Sequence, residues 1–490
     1  MSIFTALLPM IVALGGAVLT LAADGFGKRS AAVALAVAGL LGAGAVAASM
    51  AVGSGVTEVP GLPLAVGAGY SAVSAFVYLL AAVVLVGGSK VLGDRSNGGE
   101  IAALTVLLAL ASSVMVAARD LLIVTVALET IAIVSYALVS VARTRRADEA
   151  AMKYFVQGAV ATGFLLYAVS LIFGLYGGDL SLSGMMTALA EGPARPALIA
   201  LALLLMTYAF KLSAFPFHSW APDAYETAIP SVTAFMGTAP KLAVLGSLMT
   251  VLPLIGFSDG SFATTGFFLV ALLAVASIVF GNFTGLKQAR FTRMLAYSGI
   301  AQVGYALVGA AAVFLLPVAD RSAYGVLAAG GAYALAAAGA FMGAQAMHAT
   351  VPGWDGSIAG VAGLGRRRPM LGAALVVLML SLTGIPLTAG FWGKFLVFSD
   401  AVAAGHAWLA VVGMIGSVVS FGYYGNVMRV MYLDEPARLP AVSVGAEKSA
   451  GAADPMAEFA VAALALLVLA LGVLPFLLGF DFLGKILTVL

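Results

Sequence analysis

The sequence of 490 residues contains no cysteine. That excludes disulfides, thiolate zinc sites, iron–sulfur ligation and cysteine nucleophiles together. Histidine is nearly as scarce, with three in the chain (His218, His348 and His406), so a histidine-rich metal or haem site is not expected. Charge is scarce as well. Asp, Glu, Lys and Arg make up 9% of the chain, against roughly 25% in soluble domains. The net charge of +2 gives no reason to expect a nucleic-acid partner. No glycine fingerprint for a dinucleotide follows a strand, so no cofactor is expected in this chain.

What fills the sequence instead is apolar. Hydrophobic residues make up 62%, in long runs of Ala, Leu and Val. These runs lack the two-residue alternation of a transmembrane β-barrel. They predict an all-α polytopic membrane protein surrounded by lipid. A bilayer-crossing helix needs about 20 mostly apolar residues. About fourteen such spans are predicted, near 4–23, 30–52, 69–89, 100–118, 121–141, 154–176, 195–214, 230–254, 263–284, 294–315, 323–347, 370–398, 404–428 and 459–480. The first span has no basic residue before it and runs into Asp24, Lys28 and Arg29. It is expected to be an uncleaved helix rather than a signal peptide. The longest polar gap, 429–458, is too short for a core of its own.

Orientation follows from the basic loops. With the loops numbered after each span, seventeen of the 24 Lys and Arg fall in odd loops and three, Arg119, Arg195 and Arg321, in even ones. The positive-inside bias places the odd loops in the cytoplasm and both termini outside.

After that sorting, four charges remain at membrane depth: Glu129, Lys211, Lys241 and Lys394. A charge at the bilayer centre costs at least about 2.5–3.5 kcal/mol on insertion scales. Such residues face a bundle interior and find partners or water. The bland alternative is a lysine near a helix end that snorkels to the surface, and Lys211 sits near the end of its span. The lysine chemistry suits proton transfer. Burial disfavours the charged ammonium and a nearby carboxylate favours it, so a buried lysine with a movable carboxylate is a switchable proton site.

Two spans carry helix breakers beside these charges. The seventh reads YAFKLSAFPFHSWAPDAYETAIPS, with Pro216, Pro222 and Pro230. The twelfth reads SLTGIPLTAGFWGKFLVF, with Gly384, Pro386, Gly390 and Gly393. Proline removes a backbone donor and clashes one turn back. In lipid the freed carbonyls must be met by protein or water. A kink for packing is the simpler reading of either break, but each has a lysine within a few residues, as at the hydrated midplane sites of transporters. The two broken spans lie five apart, and an odd offset reverses orientation. Helices 4–8 and 9–13 are therefore expected to form two inverted five-helix repeats. The domain division that follows is 1–99 (helices 1–3), 100–254 (first repeat), 255–430 (second repeat) and 431–490 (loop and helix 14). Asp223 and Glu226, just beyond Pro216, are expected to brace the second half of the seventh helix at its N-terminus. Arg366–Arg368 reads as a topogenic loop.

Several segments carry a family resemblance: ALET (127–130), DEAAMKYFVQGAVATGFLLYAVSLIFGLYGG (148–178), AFKLSAFPFHSWAPDAYETAIPSVTAFMGTAPKLAV (209–244), GLKQARFTRMLAYSGIAQVGYALVG (285–309) and GIPLTAGFWGKFLVF (384–398). Together they resemble the antiporter-like membrane subunits of respiratory complex I, a family that includes Mrp-type cation/proton antiporter subunits. KYF-x-x-GA, APK around Lys241, and lysine rather than glutamate at 394 are similar to the subunit N branch. A long lateral C-terminal helix, as in subunit L, is not expected after the fourteenth span.

The resemblance implies roles residue by residue. Glu129 is expected to modulate Lys211, Lys241 to pass protons along a central polar axis, and Lys394 to stand near the exit. His218, in the PFH-x-W segment, either gates water or packs. Lys153 is either on the cytoplasmic path or simply a solvated juxtamembrane lysine. His348, at the end of span 11, stands where related subunits use a polar connector. Gln302 and Tyr305 add polarity in span 10, and His406 is expected at the outer surface. The implied function is proton translocation as a membrane-arm subunit of NADH–quinone oxidoreductase. The chain would be part of a translocase and do no redox chemistry itself. FMN and iron–sulfur clusters would sit in other subunits, and quinone would bind elsewhere. Expected partners are membrane lipids and the other membrane-arm subunits, including the antiporter-like subunit M and the small subunits K and J. An Mrp-type cation/proton antiporter subunit is the competing reading, and a non-conducting scaffold a third. The Ala- and Gly-rich composition suggests a bacterium, and hence its plasma (inner) membrane.

Overall fold

The computed structural model describes residues 3–52, 56–175, 177–182, 184, 194–255, 260–316, 323–351, 353–435 and 453–478. The first six helices are α1 (Ile3–Gly25), α2 (Arg29–Ala51), α3 (Ala68–Asp94), α4 (Gly98–Ala117), α5 (Leu121–Ser140) and α6 (Arg145–Leu175). The first broken span follows as α7 (Ala194–Leu212) and α8 (Trp220–Thr227), then α9 (Pro230–Met236) and α10 (Ala239–Ile255). Next come α11 (Gly260–Gly285), α12 (Phe291–Ala312), α13 (Tyr324–Thr350) and the short α14 (Leu364–Arg367). The second broken span is α15 (Pro369–Thr383) and α16 (Ala389–Ala403), followed by α17 (Ala407–Tyr432) and α18 (Pro455–Leu478).

Twelve of the described spans are long and apolar enough to cross a membrane, and two shorter apolar helices, 198–212 and 369–383, occupy the expected seventh and twelfth places. The chain is a multi-pass, almost wholly helical membrane protein. Among the described residues the one sheet is a two-stranded antiparallel hairpin, β1 (Thr57–Glu58) with β2 (Ala65–Val66), in the α2–α3 connection.

Burial sorts the helices. In α12 nearly every residue from Phe291 to Ala312 is buried, and in α13 nearly every residue from Tyr333 to Met347. In contrast α6, α11 and α17 expose Phe155, Leu272 and Val418. Lipid tails are as apolar as these side chains, so such faces are ordinary in a bilayer. Together with the equally buried stretch Pro230–Leu252, α12 and α13 are the helices that can wall a site shielded from lipid.

Two details differ from the expected spans. The sixth helix starts at Arg145, nine residues before the expected 154. Its hydrophilic first turns are held by an i,i+4 pair, Glu149 with Lys153 at 2.8 Å, and need no apolar surroundings. The eighth span, expected near 230–254, is one apolar span over Pro230–Leu252 whose helix is interrupted between α9 and α10 at Gly237 and Thr238. Thr238 turns its hydroxyl back onto Ala234 O at 2.5 Å, a local bond that competes with the helical ladder. The twelfth span is interrupted over 384–388, as the glycine and proline pattern predicts, whereas the seventh is interrupted over a full seven residues, 213–219. Of the polar stretch 429–458, residues 436–452 lie outside the described residues.

Candidate functional site

The first break begins one residue after α7. Ser213 takes a left-handed backbone with φ of 58°, and the Phe215–Pro216 peptide is cis. The polar groups released here are met inside the protein, as a lipid setting requires. Ala214 N donates to Ala209 O at 2.7 Å, Trp220 Nε1 to Phe210 O at 3.1 Å, and Phe215 N to Ser277 Oγ at 2.9 Å. Trp220 stacks on Tyr154 with ring centroids 3.8 Å apart, which fixes the start of α8 against α6.

Three lysines are buried around this break and its counterpart. Lys211, Lys241 and Lys394 are 6%, 3% and 7% exposed. Lys211 Nζ lies over the rings of Tyr136 and Phe210 at 5.7 and 5.6 Å and has no hydrogen-bond partner among the described residues. Half-buried Glu129 accepts a hydrogen bond from Thr162 Oγ1 at 2.8 Å. Glu129 and Lys211 therefore do not form a closed ion pair here. Both lie near Tyr136, whose hydroxyl also lacks a partner among the described residues.

Lys241 Nζ donates to Ser213 Oγ at 2.6 Å and faces the rings of Tyr225 and Tyr333 at 5.5 and 5.9 Å. The eighth-span lysine is thereby tied to the break in the seventh.

Lys394 closes the second break. Its Nζ donates to Leu382 O at 3.1 Å, Thr383 O at 2.8 Å and Ser417 Oγ at 3.0 Å, over the Tyr305 ring at 4.2 Å. The two carbonyls are ones that α15 leaves free where it ends. Gln302 Nε2 also donates to Leu382 O, at 2.6 Å. Gly384 has φ of 90°, and the aliphatic stem of Lys394 runs 2.8 Å from where its Cβ would be. A small cavity opens beside this lysine, lined by Gln302, Tyr305, Tyr333, Ser381, Lys394 and others.

The other predicted residues fall outside this axis or at its edge. His218 is buried between Phe215 and Phe280, centroids 5.4 and 4.4 Å away, and its Nδ1 has no partner among the described residues. His348 is exposed at the last turn of α13 and packs its ring on Trp354 at 4.6 Å. It stands at the helix end, away from the lysines. The α13 residue facing Lys241 is Tyr333. His406, half-exposed, lies 4.0 Å from the Phe267 ring. Lys153 is half-exposed and bridges Glu149 and Asp223, at 2.8 and 3.3 Å.

Lys153 belongs to a charged crevice at the end of the bundle that carries the basic loops. Arg293 Nη1 reaches Asp223 at 2.8 Å and Glu226 at 3.0 Å, and Arg290 reaches Glu226 at 3.1 Å. Asp223 lies in the first turn of α8, as expected. But both carboxylates are taken up by side chains of α6 and α12, so the bracing is between helices rather than a cap.

The sequence did not flag Ser213, Ser417 or Tyr333 as neighbours of the lysines, nor the half-buried Asp400 against Gly325 at the start of α13. Serine and tyrosine are common in membrane helices, and a signal exists only once the helices are packed. Three or more His, Asp or Glu grouped to hold a metal ion do not occur among the described residues.

Residues 118–420 match the family model described as NADH:quinone oxidoreductase/Mrp antiporter, TM. The chain is 38% identical over 382 residues to NADH-quinone oxidoreductase subunit N 2 of Symbiobacterium thermophilum, covering 75% of this chain and 74% of that one. Among solved structures, a chain of respiratory complex I from Thermus thermophilus with bound aureothin superposes with a TM-score of 0.77 at 30% identity, over 96% of this chain and 98% of that one. A chain of the Mrp complex from Dietzia superposes with a TM-score of 0.81 at 20% identity, over 100% and 97%, a likeness of fold.

Proposed function

This chain belongs to the NADH:quinone oxidoreductase/Mrp antiporter membrane-subunit family, and from that premise we propose that it is a proton-translocating membrane-arm subunit of an NADH–quinone oxidoreductase. The observation that carries this reading is the set of three buried ammonium groups, each beside an interrupted helix and polar side chains, in an otherwise apolar bundle. Charged groups at that depth are retained where they serve an ion or proton path.

In the mechanism, protons enter from the cytoplasm to Lys211 or Lys241, cross by water to Lys394 and leave to the outside. Glu129 moves toward Lys211 to stabilise its ammonium form and away to release the proton. The separation of the two groups, with Glu129 held by Thr162, is the released state. His218 lies at the edge of this path, and Lys153 serves the charged crevice rather than the central axis. Electrons pass from NADH to quinone in other subunits, which hold the FMN and iron–sulfur clusters. This chain supplies no redox group, and coupling reaches it as a conformational or electrostatic change.

The finer architecture belongs to the same proposal. Fourteen spans, with helices 4–8 and 9–13 as inverted repeats over 100–254 and 255–430, give one broken helix to each half. Residues 1–99 and 431–490 flank them. The membrane is the bacterial inner membrane with both termini outside. The neighbours are subunits M, K and J together with lipid.

The test is proton pumping by the intact complex in sealed vesicles with Lys241→Ala. Loss of pumping in an assembled complex is expected. Wild-type pumping and turnover would move the scaffold reading to the front. An Mrp-type antiporter subunit is the second reading, favoured by the Dietzia fold likeness. It requires cation-dependent proton exchange in vesicles without NADH.

A further inference from the structure

Tyr333 stands between Lys241 and Lys394, on a helix that carries neither lysine. Tyr333 is buried on α13, 6% exposed, in the run GGAYALAAAG. Its ring faces Lys241 Nζ at 5.9 Å. The same residue lines the cavity beside Lys394, together with Gln302, Tyr305 and Ser381. Tyr333 thus has one side toward each lysine. Its hydroxyl donates to Gly237 O at 3.0 Å, the carbonyl left free where α9 gives way to α10, just upstream of Lys241.

The opposite wall is Gly299 of α12. A Cβ there would lie 2.7 Å from Tyr333 Oη and 3.8 Å from Lys241 Nζ. The missing side chain therefore leaves a gap on this side, next to both the tyrosine oxygen and the Lys241 amine. A side chain at this position would fill that gap. Ala329 and Ala332 complete the apolar part of the cavity wall that Tyr333 shares with Lys394.

We propose that Tyr333 is a proton-relay residue between Lys241 and Lys394. The inference rests on the pumping function proposed above. The tyrosine oxygen accepts a proton from the Lys241 side, directly or through water, and releases its own hydroxyl proton to the cavity beside Lys394. One O–H bond forms as the other breaks, so the tyrosine stays neutral throughout and stores no charge. A phenol is suited to this task, since near neutral pH it is neither ionised nor protonated, yet it both donates and accepts. The hydrogen bond to Gly237 O is the resting position of the hydroxyl, and rotation about the C–O bond re-aims it. Gly299 is the positioning residue that keeps the approach open.

The test uses the intact complex in sealed vesicles. Tyr333→Phe keeps the ring, its packing and its face toward Lys241, and removes only the oxygen. A fall in coupled proton pumping of about tenfold or more, the range of a lost proton-transfer group, is expected, with normal assembly. Gly299→Ala, which removes no polar group but crowds the Tyr333 hydroxyl at 2.7 Å, is expected to lower pumping in the same direction and to change the solvent isotope effect. If Tyr333→Phe lowers only the melting temperature and pumps at the wild-type ratio, the hydroxyl merely satisfies Gly237 O and the inference is overturned. Wild-type pumping in Gly299→Ala overturns the positioning role. Lys241→Ala and Lys394→Ala run beside them separate the outcomes. Loss in the lysine variants with retention in Tyr333→Phe sinks the relay alone, and retention in all of them sinks the pumping function itself.

Discussion

Lys241 Nζ and Ser213 Oγ lie 2.6 Å apart, so the ammonium of the eighth span is hydrogen-bonded to the first residue of the break in the seventh. Ser213 in turn follows Lys211 by two positions. One hydroxyl thereby couples the geometry of two buried lysines, and its left-handed backbone, φ 58°, is held at a cost of order 1–3 kcal/mol for a non-glycine residue.

Ser213→Gly is expected to relax that backbone and remove the hydroxyl at the same time. Hydrogen bonds to charged groups are worth about 1.5–3 kcal/mol, and Lys241 loses one of that order. The complex should assemble with at least wild-type thermal stability while NADH-driven pumping in vesicles falls. Ser213→Thr, which keeps a hydroxyl, should pump better than the glycine variant. Equal pumping by both would show that the hydrogen bond does not matter.

The partner of Glu129 separates charge from geometry. Glu129→Gln keeps an acceptor for Thr162 Oγ1 but removes the charge. Thr162→Val removes the hydroxyl and leaves the carboxylate free to approach Lys211. Turnover and pumping are expected to drop severalfold in the first and to change far less in the second. Coupled turnover measured in vesicles checks the order of the two effects.

Gly384 carries the second break. A side chain there meets both the positive φ and the Lys394 stem at 2.8 Å. Gly384→Val is expected to destabilise by a few kcal/mol, of the order of backbone strain with overpacking. It should also pull Lys394 from the Leu382 and Thr383 carbonyls. A lowered melting temperature of the detergent-extracted complex, together with lost pumping, is the expected pair of results.

The absence of cysteine makes topology directly measurable, since one engineered thiol is the single label site in this chain. Arg145 and Asp179 are both exposed, at opposite ends of α6 and its following turn. Arg145→Cys is expected to react with an impermeant thiol reagent only from the cytoplasmic face, and Asp179→Cys only from outside. The reverse pattern would invert the proposed orientation.

Much of this protein is determined by its sequence alone. Apolar runs of bilayer length specify helices because no other open structure satisfies its backbone in lipid. The four deep charges stand out because each is costly there. Pro216, and Gly384 with Pro386, mark two breaks because their backbone chemistry is local. The third interruption, at Gly237 and Thr238, was not legible. It depends on a threonine back-bond and on Tyr333 of a distant helix taking up the Gly237 carbonyl. Only the packed structure decided which groups the lysines touch. Ser213, Ser417, Tyr305 and Tyr333 are 28, 23, 89 and 92 positions from the lysines they face (Lys241, Lys394, Lys394 and Lys241), and no helical period links them. His348 shows the same limit. Its place at the end of span 11 was legible, but only the packed structure shows its ring against Trp354 and the ring of Tyr333, fifteen positions earlier on the same helix, facing Lys241.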